Sequence, residues 1–446
     1  MALFKAYDLR GKVPEELNED IAYKIGRAYT RLYSPKRVAV GYDIRNESPP
    51  ISSALIKGLT EGGADVLNIG LCGTEEVYFA TFHHELDGGI MVTASHNPKG
   101  HNGMKLVGPE ARPISADNGL LDIKALVETA DFGSPAVTGK EEVDEDKSAY
   151  IQHLLSYIDI DSLTAVKILV NPGNGGAGIV LPLLAAHLPF EFIYLNEEPD
   201  GDFPNGVPNP LLLENQKATR EAVLTSKADI GIAWDGDFDR CFFFDHNGRF
   251  IEGYYLVGLL AETLLKKQPG SAIVHDPRLT WNTIQQTEAA GGRTVQSKCG
   301  HAFIKSVMRE EDAIYGGEMS AHHYFKGFSY CDSGMIPWLL ITELMSKTSK
   351  SMKELVDERM LAYPCSGEIN FRVEDTQTVI DRIREHFEPA AEAVDTIDGI
   401  SMSFGNWRFN LRASNTEPLL RLNVESKHDE VLMKESLQSI VDLINA

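Results

Sequence analysis

Three observations predict an α/β fold. Strand-like and helix-like segments alternate over about 360 residues. Three apolar strands each run into a loop rich in reactive side chains. The last eighty or so residues then change to short strands followed by one amphipathic helix. At 446 residues the chain exceeds what one hydrophobic core serves, and its length suggests about three or four domains.

The elements follow in order. Apolar spacing predicts a helix over Asp20–Tyr33, a strand over Val38–Gly41, a helix over Ile51–Thr60 and a strand over Ala64–Ile69. The rhythm returns with a strand at Val166–Val170, a helix from Ile179, a strand at Phe190–Tyr194, and again from Gly253 to about Leu361. Such alternation favours largely parallel sheets. The reactive loops hold Ser95, Asp235 and Glu318, where ligand groups gather beyond the carboxyl ends of strands. Near the C-terminus, strands at Ser366–Val373, Gly399–Phe404, Trp407–Leu411 and Leu419–Val424 precede a helix with Val431, Leu432, Leu437, Ile440, Val441 and Ile444 on its apolar face. Tyr363–Gly367 is the expected hinge before this α+β module.

Composition narrows the function. Sixty-five acidic against forty-two basic residues give a net charge of −23, a poor match for nucleic acid or an anionic membrane. A phosphate site would need a local cluster of Arg, Lys and backbone N–H groups. No apolar stretch reaches spanning length and the N-terminus lacks a signal pattern, so a cytoplasmic protein is expected. The five cysteines form no C-x-x-C pair, which fits a reducing compartment.

Asp235, Asp237 and Asp239, in Asp235-Gly236-Asp237-Phe238-Asp239-Arg240, form the strongest metal signal. An EF-hand would need Gly at the sixth position and Glu at the twelfth, where Arg240 and His246 stand. Three close like charges call for a cation or a proton, and oxygen ligands favour Mg²⁺ or Mn²⁺ over zinc; the plain alternative is a solvated acidic turn. Ser95, in Thr93-Ala94-Ser95-His96-Asn97-Pro98, follows a strand. It is either a nucleophile or phosphate carrier, or a residue of an Asx- or ST-turn. Lys105 lies close enough to reach the same site, or is a surface lysine.

Gly173-x-Gly175-x-x-Gly178, with Glu197 about twenty residues on, matches the dinucleotide fingerprint and raises an oxidoreductase as the rival. Asn171-Pro172 before the first glycine, and the lack of a second phosphate-binding half, favour a tight turn with close helix–strand packing. Arg412, Ser414, Asn415 and Thr416 make a plausible phosphate cradle or a simple turn, with Arg421 on the next strand. Glu318, Ser320 and His322 alternate, so an extended loop would point them together at sugar hydroxyls. His301, after Gly300, is an acid–base candidate or a cap.

Five ordered segments resemble the α-D-phosphohexomutases: Phe4–Gly11, Thr93–Pro98, Asp235–Arg240, Gly317–His322 and Arg412–Pro418. Longer stretches, His275–Leu279 and Tyr330–Pro337, look like bacterial phosphomannomutases that supply GDP-mannose for surface polysaccharide. The resemblance implies four domains around a central cleft, three related α/β domains with mixed sheets and a smaller C-terminal α+β domain, with expected bounds 1–146, 147–250, 251–364 and 365–446. It implies a phosphorylated Ser95, one Mg²⁺ held by Asp235, Asp237, Asp239 and the Ser95 phosphate, and a hexose 1,6-bisphosphate activator and intermediate. Catalytic roles would fall to Ser95, His96, Lys105, Arg240, Arg10 and His301. Tyr7, Arg278, Glu318, Ser320, His322, Arg412, Ser414, Asn415, Thr416 and Arg421 would bind substrate. The expected reaction interconverts mannose 6-phosphate and mannose 1-phosphate in a monomer or weak homo-oligomer; a bifunctional or glucose-preferring mutase is the alternative. Phe238 and Ala321 stand where many members carry glycine, and Arg278 where many carry lysine.

Overall fold

The computed structural model describes residues 1–134, 137–413 and 419–446. The chain forms two compact units, Met1–Phe250 with His322–Ser349, and Ile251–Ala321 with Lys350–Ala446.

The first unit begins with a six-stranded sheet of β1 (Leu9–Lys12), β2 (Arg37–Tyr42), β3 (Asp65–Leu71), β4 (Gly88–Val92), β5 (His101–Val107) and β6 (Glu141–Val143), in the order β1-β5-β4-β2-β3-β6. β2 runs parallel to β3 and β4, whereas β5 is antiparallel to β4. Helix Glu19–Tyr33 starts at Asn18, whose side chain accepts the Ile21 N–H, and buries Ala22, Ile25, Ala28 and Tyr29 at helical spacing. It crosses helix Ser48–Glu61 at two glycines. A Cβ on Gly58 would lie 2.1 Å from the Tyr23 carbonyl oxygen, and one on Gly26 2.6 Å from that of Leu55.

A second sheet follows in the same unit: β7 (Lys167–Asn171), β8 (Glu191–Tyr194), β9 (Ile230–Trp234) and β10 (Cys241–Asp245). β7 is parallel to β8 and β9, and β10 is antiparallel to β9. Both sheets therefore mix strand directions, and for one reason. The strands that feed the Ser95 and Asp235 loops, β4 and β9, return at once as an antiparallel neighbour instead of crossing over through a helix. Hairpin strands His323–Phe325 and Cys331–Asp332 and helix Ile336–Thr348 complete the unit. Glu75 ties its parts together, accepting hydrogen bonds from Tyr150 Oη at 2.5 Å, Ser333 Oγ at 2.9 Å and Gly334 N at 2.6 Å.

In the second unit, Ala272–His275 pairs in parallel with Arg293–Gln296 on one side and Tyr315–Gly317 on the other. The C-terminal sheet is wholly antiparallel, in the order Ile369–Arg372, Leu419–Ser426, Trp407–Ala413, Ile400–Ser403, Ala393–Asp395. Helices Thr376–Phe387 and Glu430–Ile444 supply Val379, Ile383, Phe387, Met433, Ile440 and Ile444 to the core over this sheet. The last helix differs from expectation at its start. Asp429 caps it by accepting the Leu432 N–H, which leaves Val431 65% exposed in the first turn and turns Met433 inward. The Tyr363–Gly367 segment carries one isolated bridge, Cys365 to Glu425, and Gly367 is left-handed at φ 67°.

Two consequences are measurable. The atoms facing Gly26 and Gly58 are backbone and cannot swing aside, so Gly58→Ala is expected to destabilise the first unit by about 1–3 kcal/mol, read as a lowered melting temperature. Glu252, just before helix Gly253–Lys267, is pushed up to about 7 by burial and then by the Glu368 charge. Its folded value lies above its unfolded one. Its contribution to stability is therefore full below the ordinary glutamate range and is lost as pH rises through about 7. Melting curves from pH 5 to 8 should show wild type falling behind Glu252→Gln as pH rises; parallel curves would exclude the effect.

Candidate active site

The turn from β4 into β5 carries Ser95, which is 4% exposed. Its backbone sits at φ 48°, in the left-handed region, and its amide donates to Thr93 Oγ1 at 2.8 Å. Its hydroxyl donates to Asp235 Oδ2 at 2.8 Å across 140 residues of sequence. The turn from β9 into β10 supplies Asp235, Asp237 and Asp239, buried at 0%, 0% and 2% exposure. One oxygen from each lies within 4.8 Å of the others. Trp234 and Phe242 to Phe244, all buried, anchor both strands, so the loop cannot turn its carboxylates out to water.

Cations answer these carboxylates. Lys105, on β5, places Nζ 2.8 Å from Asp237 Oδ2 and 2.5 Å from Asp239 Oδ2. Arg240 donates to Asp235 Oδ2 through Nε at 2.9 Å and Nη2 at 2.7 Å, and its Nη2 also meets His96 Nδ1. Ser95 Oγ lies 3.0 Å from the same His96 nitrogen. Arg10, on β1, is held by Asp8 at 2.8 Å and feels the charges of Asp237 and Asp239. His322 Nε2 is 3.7 Å from Asp239 Oδ1, and its backbone bridges Arg240. Tyr7 is half-buried in the bend before β1.

Protonation follows from these contacts. Burial works against ionising Asp235, but the Arg240 guanidinium holds its carboxyl well below the usual range. Burial, then Asp237, pushes Asp239 up to about 6. For Lys105, burial pulls downward and Asp237 and Asp239 reverse it, raising the ammonium above its ordinary value. Desolvation and then the Arg240 charge push His96 below its ordinary value, against the opposing pull of Asp235. Asp237 Oδ1 and Asp239 Oδ1 remain buried without a hydrogen-bond partner among the described residues. Two orphaned carboxylate oxygens beside a third buried aspartate are a donor set that fits a hard divalent cation.

The remaining candidates belong to the second unit. Arg278 donates to Asp276 Oδ2 at 2.7 Å and lies 3.6 Å from Glu318 Oε1 and 3.3 Å from Ser320 Oγ. Asp276 also accepts the Met319 N–H at 2.9 Å. The Glu318 loop is not extended as its alternation predicts. It closes a turn in which Ala321 N–H donates to Glu318 O at 3.0 Å, and Ala321 takes φ 70°. Glu318 accepts the Gly300 N–H at 2.9 Å, next to His301, the first residue of helix His301–Glu310. Arg278, Arg412 and Arg421 converge on Glu368 at 3.3, 3.2 and 3.4 Å. Burial would raise Glu368, and the three guanidinium groups outweigh it and lower its carboxyl. Ser414, Asn415 and Thr416 lie outside the described residues.

Sequence reasoning passed over Thr74, Asp276 and Glu368. Thr74 donates through Oγ1 to Asp237 Oδ2 at 2.5 Å and through its amide to Asp237 O at 3.1 Å. Nothing local marks it, because its partner is 163 residues away. The glycine fingerprint is structural. Gly173 turns at φ 63°, the Gly176 N–H donates to Gly236 O at 3.0 Å, and a Cβ on Gly178 would lie 2.0 Å from Glu197 O. These glycines let the Ala177–Ala185 helix and the Asp235 loop approach closely, and the dinucleotide reading is set aside.

Comparison with known proteins gives the same order of parts. Phosphoglucomutase/phosphomannomutase family models match as alpha/beta/alpha domain I over residues 1–134, domain II over 148–248, domain III over 252–363 and the C-terminal domain over 368–443. Phosphohexose mutases of Xanthomonas campestris pv. campestris (strain B100) are 58% identical over 443 residues, covering 99% of this chain and 98% of the relative. A phosphomannomutase of Salmonella montevideo is 57% identical, covering 100% and 99%. A crystal structure of a phosphoglucomutase/phosphomannomutase family protein from Burkholderia thailandensis superposes with a TM-score of 0.88 at 29% identity, covering 100% of this chain and 98% of that one. With all four domains matched in order along the chain, it belongs to the phosphoglucomutase/phosphomannomutase family.

Proposed function

We propose that the chain is a phosphomannomutase that interconverts mannose 6-phosphate and mannose 1-phosphate through a phosphorylated Ser95 and mannose 1,6-bisphosphate. One observation carries this reading. A buried serine hydroxyl lies 2.8 Å from a buried cluster of three aspartates, on a chain 57% identical across its length to a phosphomannomutase.

In the first half-reaction the free hydroxyl of the sugar attacks the phosphorus carried on Ser95. A P–O bond to the sugar forms, the P–Oγ bond of Ser95 breaks, the hydroxyl proton leaves, and Oγ regains a proton. The second half runs these steps backwards with the other phosphate of the bisphosphate, so phosphate is conserved and the isomer is released. Asp235, Asp237 and Asp239, with the Ser95 phosphate, would hold Mg²⁺. When bound, that ion offsets charge on the transferring group, and such charge stabilisation usually dominates the rate enhancement in phosphoryl transfer. Arg240 and Lys105 add positive charge at the same place, and two carboxylates keep Lys105 protonated, so it serves as a fixed cation rather than a base. His301 is the candidate to accept the sugar proton, with His96 beside Ser95 Oγ. Arg10 and Tyr7 line the substrate site. Arg278, Glu318, Ser320 and His322 read the sugar hydroxyls, and Arg412 and Arg421, with Ser414, Asn415 and Thr416, hold the phosphate that is not reacting.

No described helix is long and apolar enough to cross a membrane. A cytoplasmic enzyme acting on a small sugar phosphate is part of the same proposal, and the net charge of −23 disfavours nucleic acid and anionic membranes as partners. Its hexose 1-phosphate would feed nucleotidyl transfer to GDP-mannose for surface polysaccharide. The name of the 58% identical Xanthomonas relative, phosphohexose mutases, favours a second reading, a bifunctional mannose and glucose mutase. Rates with mannose 1-phosphate and glucose 1-phosphate separate the two.

Intact mass and phosphopeptide mapping should place one phosphoryl group on Ser95, and Ser95→Ala should lose turnover by on the order of 10⁴-fold. Asp237→Asn should weaken Mn²⁺ binding measured by calorimetry as well as lowering the rate. Release of free phosphate in place of isomerised sugar would replace the mutase with a phosphatase.

A further inference from the structure

Just past β2, in Gly41-Tyr42-Asp43-Ile44-Arg45, an arginine that is 2% exposed points into the Ser95 turn. Arg45 Nη2 donates to the carbonyl oxygens of Ser95 at 2.8 Å and Asn97 at 2.6 Å. Its Nη1 donates to those of Pro98 at 3.2 Å and His101 at 3.1 Å. Four carbonyls of one seven-residue turn therefore converge on a single guanidinium. Such convergence is repulsive unless a cation with several directed donors fills the centre, and a planar fork meets that need where a compact ammonium cannot.

The cation is itself held. Arg45 Nε lies 3.5 Å from Asp43 Oδ2, and its guanidinium covers the Phe203 ring with 5.2 Å to the centroid. Asp43 accepts from Ser48 Oγ at 2.5 Å, Arg45 N at 3.1 Å and Ala94 N at 3.3 Å. Asn102 Nδ2 donates to Ser48 Oγ at 2.8 Å, closing the network onto the far end of the turn. On the other side, a Cβ on Gly236 would lie 2.6 Å from Ser95 O, so the carbonyl that Arg45 grips also packs against the aspartate loop.

We propose that Arg45 is a positioning residue for phosphoryl transfer, its guanidinium fastening the Ser95, Asn97, Pro98 and His101 carbonyls so that Ser95 keeps the left-handed backbone that aims Oγ at Asp235. The proposal rests on Ser95 being the phosphoryl carrier. The Arg45 guanidinium bonds backbone carbonyls and not Oγ, so it acts through the main chain of Ser95.

The test is single-turnover transfer from mannose 1,6-bisphosphate to dephosphorylated enzyme, normalised to folded protein. Arg45→Lys keeps the charge beside Asp43 but cannot reach four acceptors. It should lower the transfer rate constant by about 100-fold, the cost of a small misplacement of a reacting atom, while KM for mannose 1-phosphate stays within about threefold. Asp43→Asn keeps the guanidinium but removes its anchoring charge; an expected loss of about tenfold in the same constant keeps the proposal testable if the lysine variant does not fold. A merely structural arginine would lower the melting temperature and the folded fraction and leave the constant per folded molecule unchanged, and that result overturns the proposal. Phosphopeptide mapping of wild type is the separate check: a label on another residue removes the carrier reading itself, whatever Arg45 does.

Discussion

Three aspartates buried within 4.8 Å of one another are the costly feature of the first unit, and much of its architecture answers them. At an effective dielectric near 20, each pair of unit charges at such a distance repels by about 3–4 kcal/mol. Lys105 contacts Asp237 and Asp239, Arg240 grips Asp235 through two nitrogens, and Thr74 adds two hydrogen bonds to Asp237. Even so, two carboxylate oxygens keep no hydrogen-bond partner among the described residues. A protein that only needed a stable loop would replace the trio with apolar groups. Retaining it makes sense where a hard cation and a dianionic phosphoryl group are to meet. The same logic reconciles a net charge of −23 with an anionic substrate. The long-range field is unfavourable, and recognition is left to cations buried at fixed points.

The sheets explain how those cations arrive. A strand that crosses over through a helix returns to the sheet a dozen or more residues later, and its loop is free to wander. β4 and β9 instead turn straight back as β5 and β10, so the residues that follow them are pinned at both ends by ladder hydrogen bonds. Lys105 then sits on the returning strand opposite Met91, in register to reach across to the aspartates. The serine and aspartate loops are thus both carried between paired antiparallel strands.

What was legible in the sequence follows the range of the interactions. Ser95 and the aspartate triplet stand in short segments after apolar strands, and their chemistry can be read from neighbours within a few residues. Arg45, Thr74 and Glu368 cannot be found that way. Arg45 grips carbonyls about fifty residues away, Thr74 a carboxylate 163 residues away, and Glu368 gains meaning only from arginines that the sheets bring to it. Local errors have local causes. Alternation suggested an extended Glu318 loop, but Ala321 turns the chain, and the Asp429 cap rotates the last helix so that Val431 faces water.

Each of the three reactive loops also holds a non-glycine residue in the left-handed region: Ser95 at φ 48°, Phe238 at 46° and Ala321 at 70°. A conformation of this kind costs on the order of 1–3 kcal/mol and persists only where the surroundings over-determine it. The surroundings differ in each case. Ser95 is held by the Arg45 carbonyl clasp, and Phe238 by a fully buried ring set against Gly73 and Gly176, where an added Cβ would lie 2.1 and 3.1 Å from it. Ala321 is held by its hydrogen bond to Glu318 O and by Gly253, where a Cβ would meet Met319 O at 2.4 Å. At Phe238 and Ala321 glycine would relieve the strain but leave the loop more conformations to visit. Side chains there trade backbone ease for a single geometry. At Ser95 the proposed chemistry removes the choice: the strained residue is the one whose hydroxyl would carry phosphate, so the restraint has to come from another side chain, and Arg45 is in place to supply it.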